Sequence, residues 1–208
     1  SLYVFNNYGY HKLRSENFSK KLSWIVEGCK LCDKIFSVVI ENFSSFKTEA
    51  DVRSFINKKI RLAGFRLAFR TIVASGKNAA EPHHKTSKNR LMDGFCVIDF
   101  GARVKGYCSD MTRTVFIGKP TKTQIEIYNL VLKVATESVK RVKLGVPYSK
   151  IDIRARKMFG RRRKLFIHGL GHGLGLRIHQ APKIVPRSKD KVQGNQIYHP
   201  HFLFHLLF

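Results

Sequence analysis

Acidic side chains are scarce in this sequence. Its 208 residues include 14 aspartates and glutamates against 39 lysines and arginines, a formal net charge of +25, and no glutamate follows Glu137. The excess of positive charge would attract polyanions such as RNA, although a solvated basic surface gives the same composition. The missing glutamates leave any carboxylate-rich site in the last third of the chain short of acidic groups.

Cysteines and long apolar runs are also few. The four cysteines do not form a disulfide framework, and the lone pair Cys29 and Cys32 is weak evidence for zinc or redox chemistry. We interpret these two, with Cys96 and Cys108, as buried and reduced thiols, from which we expect a cytoplasmic protein. No apolar run reaches the ~18 residues that span a membrane, and no signal peptide is visible.

The sequence does contain enough apolar residues for a folded domain. Hydrophobic residues make up 43% of the chain and aromatic residues 12%. This composition argues against disorder and favours a single domain over residues 1–208. The sequence begins at Ser1 within a hydrophobic pattern, so we expect an amino-terminal part to be missing. Residues 195–208 are almost wholly apolar apart from histidines and form an atypical tail.

Hydrophobic periodicity predicts a mixture of helices and strands. Apolar residues at helical spacing predict helices over 19–43, 49–63, 123–144 and 149–159, with Thr48 and Ser149 as N-caps. Apolar and β-branched runs predict strands over 65–74, 95–100 and 107–117. The last two strands would form a hairpin, joined by a short connection over 101–106.

Two aspartates lie near the turn of that hairpin. Because side chains alternate along a strand, Asp99 and Asp110 can meet across the two strands if residues 101–106 reverse the chain. Like charges held so close repel each other, and a cation is their natural counter-charge. The alternative is structural: Asp99 caps the turn and Asp110 pairs with Arg113.

Three histidines follow in a glycine-rich stretch. His168, His172 and His179 are spaced by four and then seven residues, with glycines at positions 169, 171, 173 and 175. Glycine lets the backbone approach a ligand or a neighbouring strand closely, and a neutral imidazole is a common metal ligand. Together with the two aspartates, these histidines favour a divalent metal that activates water.

These motifs resemble those of the Xaa-Pro dipeptidase and aminopeptidase (prolidase) family, which is related to methionine aminopeptidase and creatinase. The matching segments are 72–84, 99–102, 106–114, 168–176 and 179–182, and the similarity runs from about 13 to 194. The resemblance implies an α+β chain with the pita-bread fold. It also implies a metallopeptidase that hydrolyses the bond between an amino-terminal residue and proline.

The resemblance also implies a metal site. Asp99, Asp110 and His172 resemble metal ligands of the family, with Asp110 bridging two divalent cations of manganese, cobalt or zinc. The two cations would hold an activated water between them. The site implied for this sequence is therefore a dinuclear one.

Further histidines resemble residues that act on the substrate. His83 and His179 resemble the catalytic histidines that contact the substrate and stabilise the tetrahedral intermediate. His168 resembles a substrate-binding histidine of the proline-specific branch. The implied substrate is a peptide with proline at its second position, and a homodimer is a possible assembly.

The sequence departs from the family pattern at the carboxylates. The family has a glutamate where this sequence has Gln180, and a glutamate ligand in the segment that here spans 193–200. We expect a further glutamate ligand to lie beyond Phe208 and the family's separate amino-terminal domain to be missing. We therefore expect a chain truncated at its carboxyl end, with incomplete terminal strands, that binds one metal ion or none. His199 or His201 could donate to a metal, but a neutral imidazole does not replace a bridging carboxylate.

Three functions remain open from the sequence. The first is the metallopeptidase, whose activity in this form is put in doubt by the missing glutamates. The second is a non-catalytic RNA- or ribosome-binding protein of the same fold, suggested by the net charge and the basic run 161–164. The third is a decayed gene product whose apolar tail promotes aggregation.

Overall fold

A computed structural model describes residues 2–5, 16–194 and 196–200 of the chain. Within these residues the α-helices are α1 (Glu16–Glu41), α2 (Glu49–Leu62), α3 (Lys122–Lys140) and α4 (Tyr148–Met158). Short 3-10 helices cover Phe43–Ser45, Gly76–Ala80 and Gly160–Leu165. The predicted tail over 195–208 lies outside the described residues except for 196–200.

The strands are short and pair in antiparallel fashion. They are β1 (Leu2–Phe5), β2 (Arg66–Leu67), β3 (Ile72–Ser75), β4 (Gly94–Phe100), β5 (Ala102–Val104), β6 (Tyr107–Cys108), β7 (Met111–Ile117), β8 (Gly171–Gly173), β9 (Gln180–Ile184) and β10 (Tyr198–Pro200). They form a four-stranded sheet in the order β1-β7-β4-β3 and two three-stranded sheets, β2-β5-β6 and β10-β8-β9.

The four-stranded sheet lies between two pairs of helices. Alternate residues of β4 point to opposite faces. Phe95 and Val97 pack in one apolar cluster with α3 and α4. Cys96 and Ile98 pack in a second cluster with α1 and α2. By the same alternation Asp99 projects towards the face covered by α3 and α4.

The predicted hairpin is correct in its long strands and wrong in its connection. Strand β4 pairs with β7 from Gly94 opposite Ile117 to Phe100 opposite Met111. Residues 101–106 are not a simple turn, because they include β5, which pairs with β2 and β6 in a separate sheet. The predicted strand over 107–117 is therefore divided into β6 and β7, and Asp110 lies between them. The predicted strand over 65–74 divides in the same way into β2 and β3.

Helix starts were predicted with mixed success. Thr48 caps α2 in a capping box with Asp51, as its sequence indicates. Ser149 does not cap α4, because that helix begins at Tyr148 after Pro147. The carboxylate of Asp152 does not close a capping box either, since it is buried and bonds to other parts of the chain.

The four cysteines are buried, as predicted. Cys29, Cys32, Cys96 and Cys108 are each at most 3% exposed. Burial raises the pKa of the Cys32 thiol to about 12, although a hydrogen bond with Ser109 opposes the shift. The Cys32 thiol therefore stays protonated, and all four cysteines contribute to packing. Among the described residues, no helix combines the length and the apolar character needed to cross a membrane.

Candidate metal centre

Strands β4 and β7 hold the first aspartate in a fixed position. Asp99 is the penultimate residue of β4 and lies directly opposite Thr112 in β7. The Thr112 hydroxyl donates a hydrogen bond of 2.9 Å to Oδ1 of Asp99. Asp99 is 6% exposed and Asp110 is 3% exposed. Both carboxyl groups are therefore largely removed from water.

A close backbone crossing fixes the second aspartate beside the first. A Cβ atom on Gly101 would lie 2.0 Å from the backbone oxygen of Ser109, so only glycine fits here. The Ser109 backbone N–H donates to the Ala102 oxygen, and the Ser109 hydroxyl accepts from the Ala102 N–H. This crossing anchors the residue immediately before Asp110. Sequence reasoning missed Ser109, whose only signal was its place in the motif 106–114.

Burial and mutual repulsion keep the two carboxyl groups from ionising together. Burial raises the pKa of Asp99 to about 7, and the hydrogen bond from Thr112 opposes the shift. Burial also raises the pKa of Asp110 well above its usual value, and the nearby charge of Asp99 raises it further. The alternative pairing of Asp110 with Arg113 is not the one observed, because the Arg113 guanidinium donates to Asp33 at 2.8 Å. A cation would stabilise both carboxylates in their charged form.

His172 presents a ring nitrogen to this acidic pair. It lies in β8, which β9 and β10 flank. Its Nδ1 donates to the Gly173 carbonyl at 2.9 Å, and a carbonyl oxygen only accepts, so Nε2 carries the lone pair of the neutral ring. Nε2 lies 3.6 Å from Oδ2 of Asp110, which is too long for a hydrogen bond. Burial lowers the pKa of His172 to about 4.

His199 approaches the same aspartate from the neighbouring strand. It lies in β10 directly opposite His172. Its Nε2 is 3.9 Å from Oδ1 of Asp110, so each carboxylate oxygen of Asp110 faces one imidazole. The sequence named His199 as a possible donor without choosing it over His201, because only the strand register brings His199 opposite His172. His201 lies outside the described residues.

His83 and His179 lie at the exposed side of this cluster. The rings of His179 and His172 are perpendicular, with centroids 4.3 Å apart. Burial lowers the pKa of His179, and the neighbouring His83 lowers it further, so these two histidines lie close to each other. Both are exposed, whereas His172 is buried. His179 therefore lies against the exposed side of His172, with His83 near it, and the catalytic roles of both histidines stay predictions.

His168, in the same glycine-rich stretch, lies next to helix α4. Its ring packs edge-on against Phe166 at 4.6 Å between centroids, and its Nδ1 donates to the Gly169 carbonyl at 2.7 Å. It also interacts electrostatically with Asp152 of α4. The prediction that His168 binds substrate stays a prediction.

An ion pair on α4, which the sequence did not reveal, holds this stretch in place. Asp152 accepts from Arg156 at 2.5 Å and from the Leu170 backbone N–H at 3.0 Å. The Arg156 guanidinium donates to the carbonyls of Phe166 and His168, each at 2.6 Å. The i,i+4 spacing of Asp152 and Arg156 is visible in the sequence. Such pairs usually lie on a solvated helix face, so the spacing alone does not indicate a buried ion pair.

The donor atoms fit one divalent ion better than two. Within residues 2–5, 16–194 and 196–200, no three His, Cys, Asp or Glu side chains form a group spaced to hold a metal as it stands. Two buried carboxylates and the Nε2 lone pair of His172 are nevertheless suitable donors for a divalent cation. Of the five ligands implied by the resemblance, the described residues supply Asp99, Asp110 and His172, and no glutamate lies between Glu137 and Phe208.

Comparison with known proteins identifies the family. The model of metallopeptidase family M24 matches residues 23–202. The chain belongs to this family. An Xaa-Pro dipeptidase of Pyrococcus furiosus is 37% identical over 177 residues, which are 83% of this chain and 51% of that protein. An uncharacterized peptidase of Staphylococcus aureus is 32% identical over 190 residues, 89% of this chain and 54% of that protein.

Solved structures of the M24 family share the fold. The prolidase of Pyrococcus horikoshii matches with a TM-score of 0.83 and 32% identity, covering 89% of this chain and 54% of the prolidase. An X-Pro aminopeptidase of Thermotoga maritima matches with a TM-score of 0.81 and 31% identity, covering 89% and 53%. The α+β pita-bread fold is thereby confirmed. The chain spans about half the length of the curated relatives it matches.

Proposed function

We propose that this M24 chain is a metal-dependent peptidase that hydrolyses the bond between an amino-terminal residue and a following proline. The observation that carries the proposal is the buried cluster of Asp99, Asp110 and His172, with the ring of His179 edge-on to that of His172. The similarity to a protein described as an Xaa-Pro dipeptidase supports the choice of substrate.

The acidic pair and His172 would hold the cation. A bound divalent cation lowers the pKa of water and polarises a carbonyl group. Asp99 is oriented for this by the Thr112 hydroxyl, and His172 by its bond to the Gly173 carbonyl. These contacts fix the direction of the donor atoms before any ligand arrives. Sites that mix imidazole and carboxylate donors can bind manganese, cobalt or zinc, so the proposed function names no single metal.

His83 and His179 would act on the substrate. Both are exposed beside the cluster, and burial with mutual repulsion lowers the pKa of His179. A neutral imidazole can donate its N–H to the oxygen on which negative charge develops during hydrolysis. His168 would contact the proline side of the substrate from the neighbouring stretch. We infer from the four buried thiols that the protein works in a reducing compartment such as the cytoplasm.

The decisive experiment measures proline released from the dipeptide Met-Pro by the 208-residue chain with added Mn²⁺, Co²⁺ or Zn²⁺. We expect metal-dependent release, with Met-Ala cleaved much more slowly. Asp110→Asn should reduce the rate at least about 100-fold, because it removes a charged donor from the cluster. Asp93→Asn changes an exposed aspartate and should leave the rate unchanged. A folded chain that releases no proline with any of the three metals would disprove the proposal.

A non-catalytic RNA-binding role is the second candidate. It is favoured by the run 161–164, whose four basic side chains are all exposed on the 3-10 helix Gly160–Leu165. RNA would bind at this basic surface, away from the aspartate cluster. The role is therefore tested separately, by measuring how the affinity for RNA changes with salt concentration.

A further inference from the structure

His199 and His172 hold Asp110 between them. The two histidines face each other across β10 and β8, and their ring centroids are 6.0 Å apart. His172 Nε2 lies 3.6 Å from one oxygen of Asp110, and His199 Nε2 lies 3.9 Å from the other. Sheet pairing therefore brings three metal-binding side chains together that are far apart in sequence.

These distances are too long for hydrogen bonds and slightly longer than those between donors that share an ion. Nitrogen and oxygen donors lie about 2.1 Å from zinc, and at tetrahedral angles two such donors are about 3.4 Å apart. The observed separations exceed that value by a few tenths of an ångström, so small side-chain rotations would bring the donors to coordination distance.

We propose that His199 is a metal ligand and that, with Asp99, Asp110 and His172, it forms a site for a single divalent ion. The proposal rests on the proposed function for the location of the site, and it adds a ligand and a stoichiometry. The chain would thus use an imidazole on β10 as its fourth donor in a mononuclear centre.

The local charge favours one ion. The two aspartates carry two negative charges, which a single divalent cation neutralises. A second ion would leave an uncompensated double positive charge in a largely buried place. The Arg113 guanidinium interacts electrostatically with His199 and adds a positive charge at that side.

The donor types favour particular metals. Two imidazoles with two carboxylates suit zinc and cobalt, whereas manganese and magnesium prefer sites made of oxygen donors. We therefore expect the chain to bind Zn²⁺ or Co²⁺ more tightly than Mn²⁺. This difference in metal affinity can be measured whether or not the chain cleaves a peptide.

The test measures metal binding directly. Equilibrium dialysis with metal analysis should give one Co²⁺ or Zn²⁺ per chain. His199→Gln should weaken Co²⁺ binding about 100-fold and change the visible absorption of the Co²⁺ complex, since a nitrogen donor is lost. His84→Gln is the matched control, because it removes a histidine that contacts Glu49 and should alter neither stoichiometry nor spectrum.

A second variant keeps the test decisive if His199→Gln does not fold. His199→Glu restores a donor of the oxygen type and should raise the affinity for Mn²⁺ relative to Zn²⁺ about tenfold or more. Two ions bound per parent chain, or a Mn²⁺ to Zn²⁺ preference unchanged by His199→Glu, would overturn the proposal. A chain that binds one ion but cleaves no Met-Pro would disprove the peptidase function and leave this inference intact.

Discussion

The charge of Asp99 depends on one neighbouring hydroxyl group. Burial raises the pKa of Asp99 to about 7, and the Thr112 hydroxyl opposes that shift. Below pH 7 a binding cation must displace the proton that Asp99 holds, so metal affinity should rise as the pH increases through 7. His172, with a pKa of about 4, competes for protons only in more acidic solution.

We expect Thr112→Val to move this pH dependence towards higher pH. Loss of the hydroxyl removes a hydrogen bond that favours the charged carboxylate, so the pKa of Asp99 rises further. A rise of one unit would lower Co²⁺ affinity at pH 6.5 by about tenfold and change it little at pH 8.5. Isothermal titration calorimetry across that range of pH measures the shift.

Thr114→Val is the control for this measurement. Thr114 lies on the same face of β7 as Thr112, and its hydroxyl finds no hydrogen-bond partner within the described part of the chain. We expect the Co²⁺ affinity of Thr114→Val to depend on pH in the same way as that of the parent. Equal shifts in the two variants would show that the Thr112 hydroxyl has no specific effect on Asp99.

Helix α2 anchors the segment that carries His83 through a buried glutamate. Glu49 accepts hydrogen bonds from Ser75, Asn78, His84 and Ser87. Burial alone would raise the pKa of Glu49, but these bonds lower it below its usual value. A carboxyl group whose pKa is lower in the folded state than in the unfolded state stabilises the fold at every pH above its unfolded pKa. This stabilisation is lost as the pH falls through the folded pKa.

Glu49→Gln should therefore destabilise the protein in a pH-dependent way. We expect the free energy of unfolding to fall by about 2 kcal/mol at pH 7, because a buried charged acceptor is lost. The difference from the parent should shrink below about pH 4.5, because the glutamate of the unfolded parent binds a proton there while the folded carboxylate is still charged. Urea unfolding at several pH values measures it. Glu41→Gln, on an exposed position of α1, should show no such difference.

Helix α4 positions the histidine stretch through Arg156. Its guanidinium bonds to Asp152 and to the carbonyls of Phe166 and His168. Arg156→Lys should lower the free energy of unfolding by about 2 kcal/mol, since an ammonium group cannot reproduce the planar fork. Arg154→Lys, at an exposed position of the same helix, should be neutral in the same urea experiment. A neutral Arg156→Lys would show that these bonds do not hold the stretch.

The net charge of +25 predicts binding to polyanions at the level of the whole molecule. The affinity for a single-stranded RNA should fall steeply as salt rises, because bound counterions are released on association. Replacing residues 161–164 by glutamine should reduce the slope of log affinity against log salt. Fluorescence anisotropy at several salt concentrations measures both effects. An affinity independent of salt would argue against the RNA-binding role.

Much of the fold could be predicted from periodicity and local motifs. The helices that became α1, α2 and α3, the cap at Thr48 and the pairing of β4 with β7 all follow from the residues close to them in sequence. The pita-bread fold and the peptidase family were also predicted correctly, through the resemblance of the motifs to the prolidase family. The helices, the cap and the strand pairing depend on short-range patterns that each segment carries by itself.

The site could be predicted only in part. The sequence singled out Asp99, Asp110 and His172, which the structure brings together, although their roles stay predictions. It did not predict the division of residues 107–117, since that depends on long-range contacts such as the Cys108 N–H bonding to the Gly175 oxygen at 2.8 Å. Nor could it predict that the Asp152 carboxylate accepts a hydrogen bond from the Leu170 N–H instead of capping the start of α4, because that bond joins two distant segments.

The sequence by itself determined the family, the positions of the principal helices and the shortage of carboxylates after Glu137. These are properties of residue identity and order, which need no folding to be read. Only the tertiary structure decided that His199 stands opposite His172 and faces Asp110. The register of β10 against β8 sets that contact, and backbone pairing between segments so far apart in sequence leaves no mark in either segment alone.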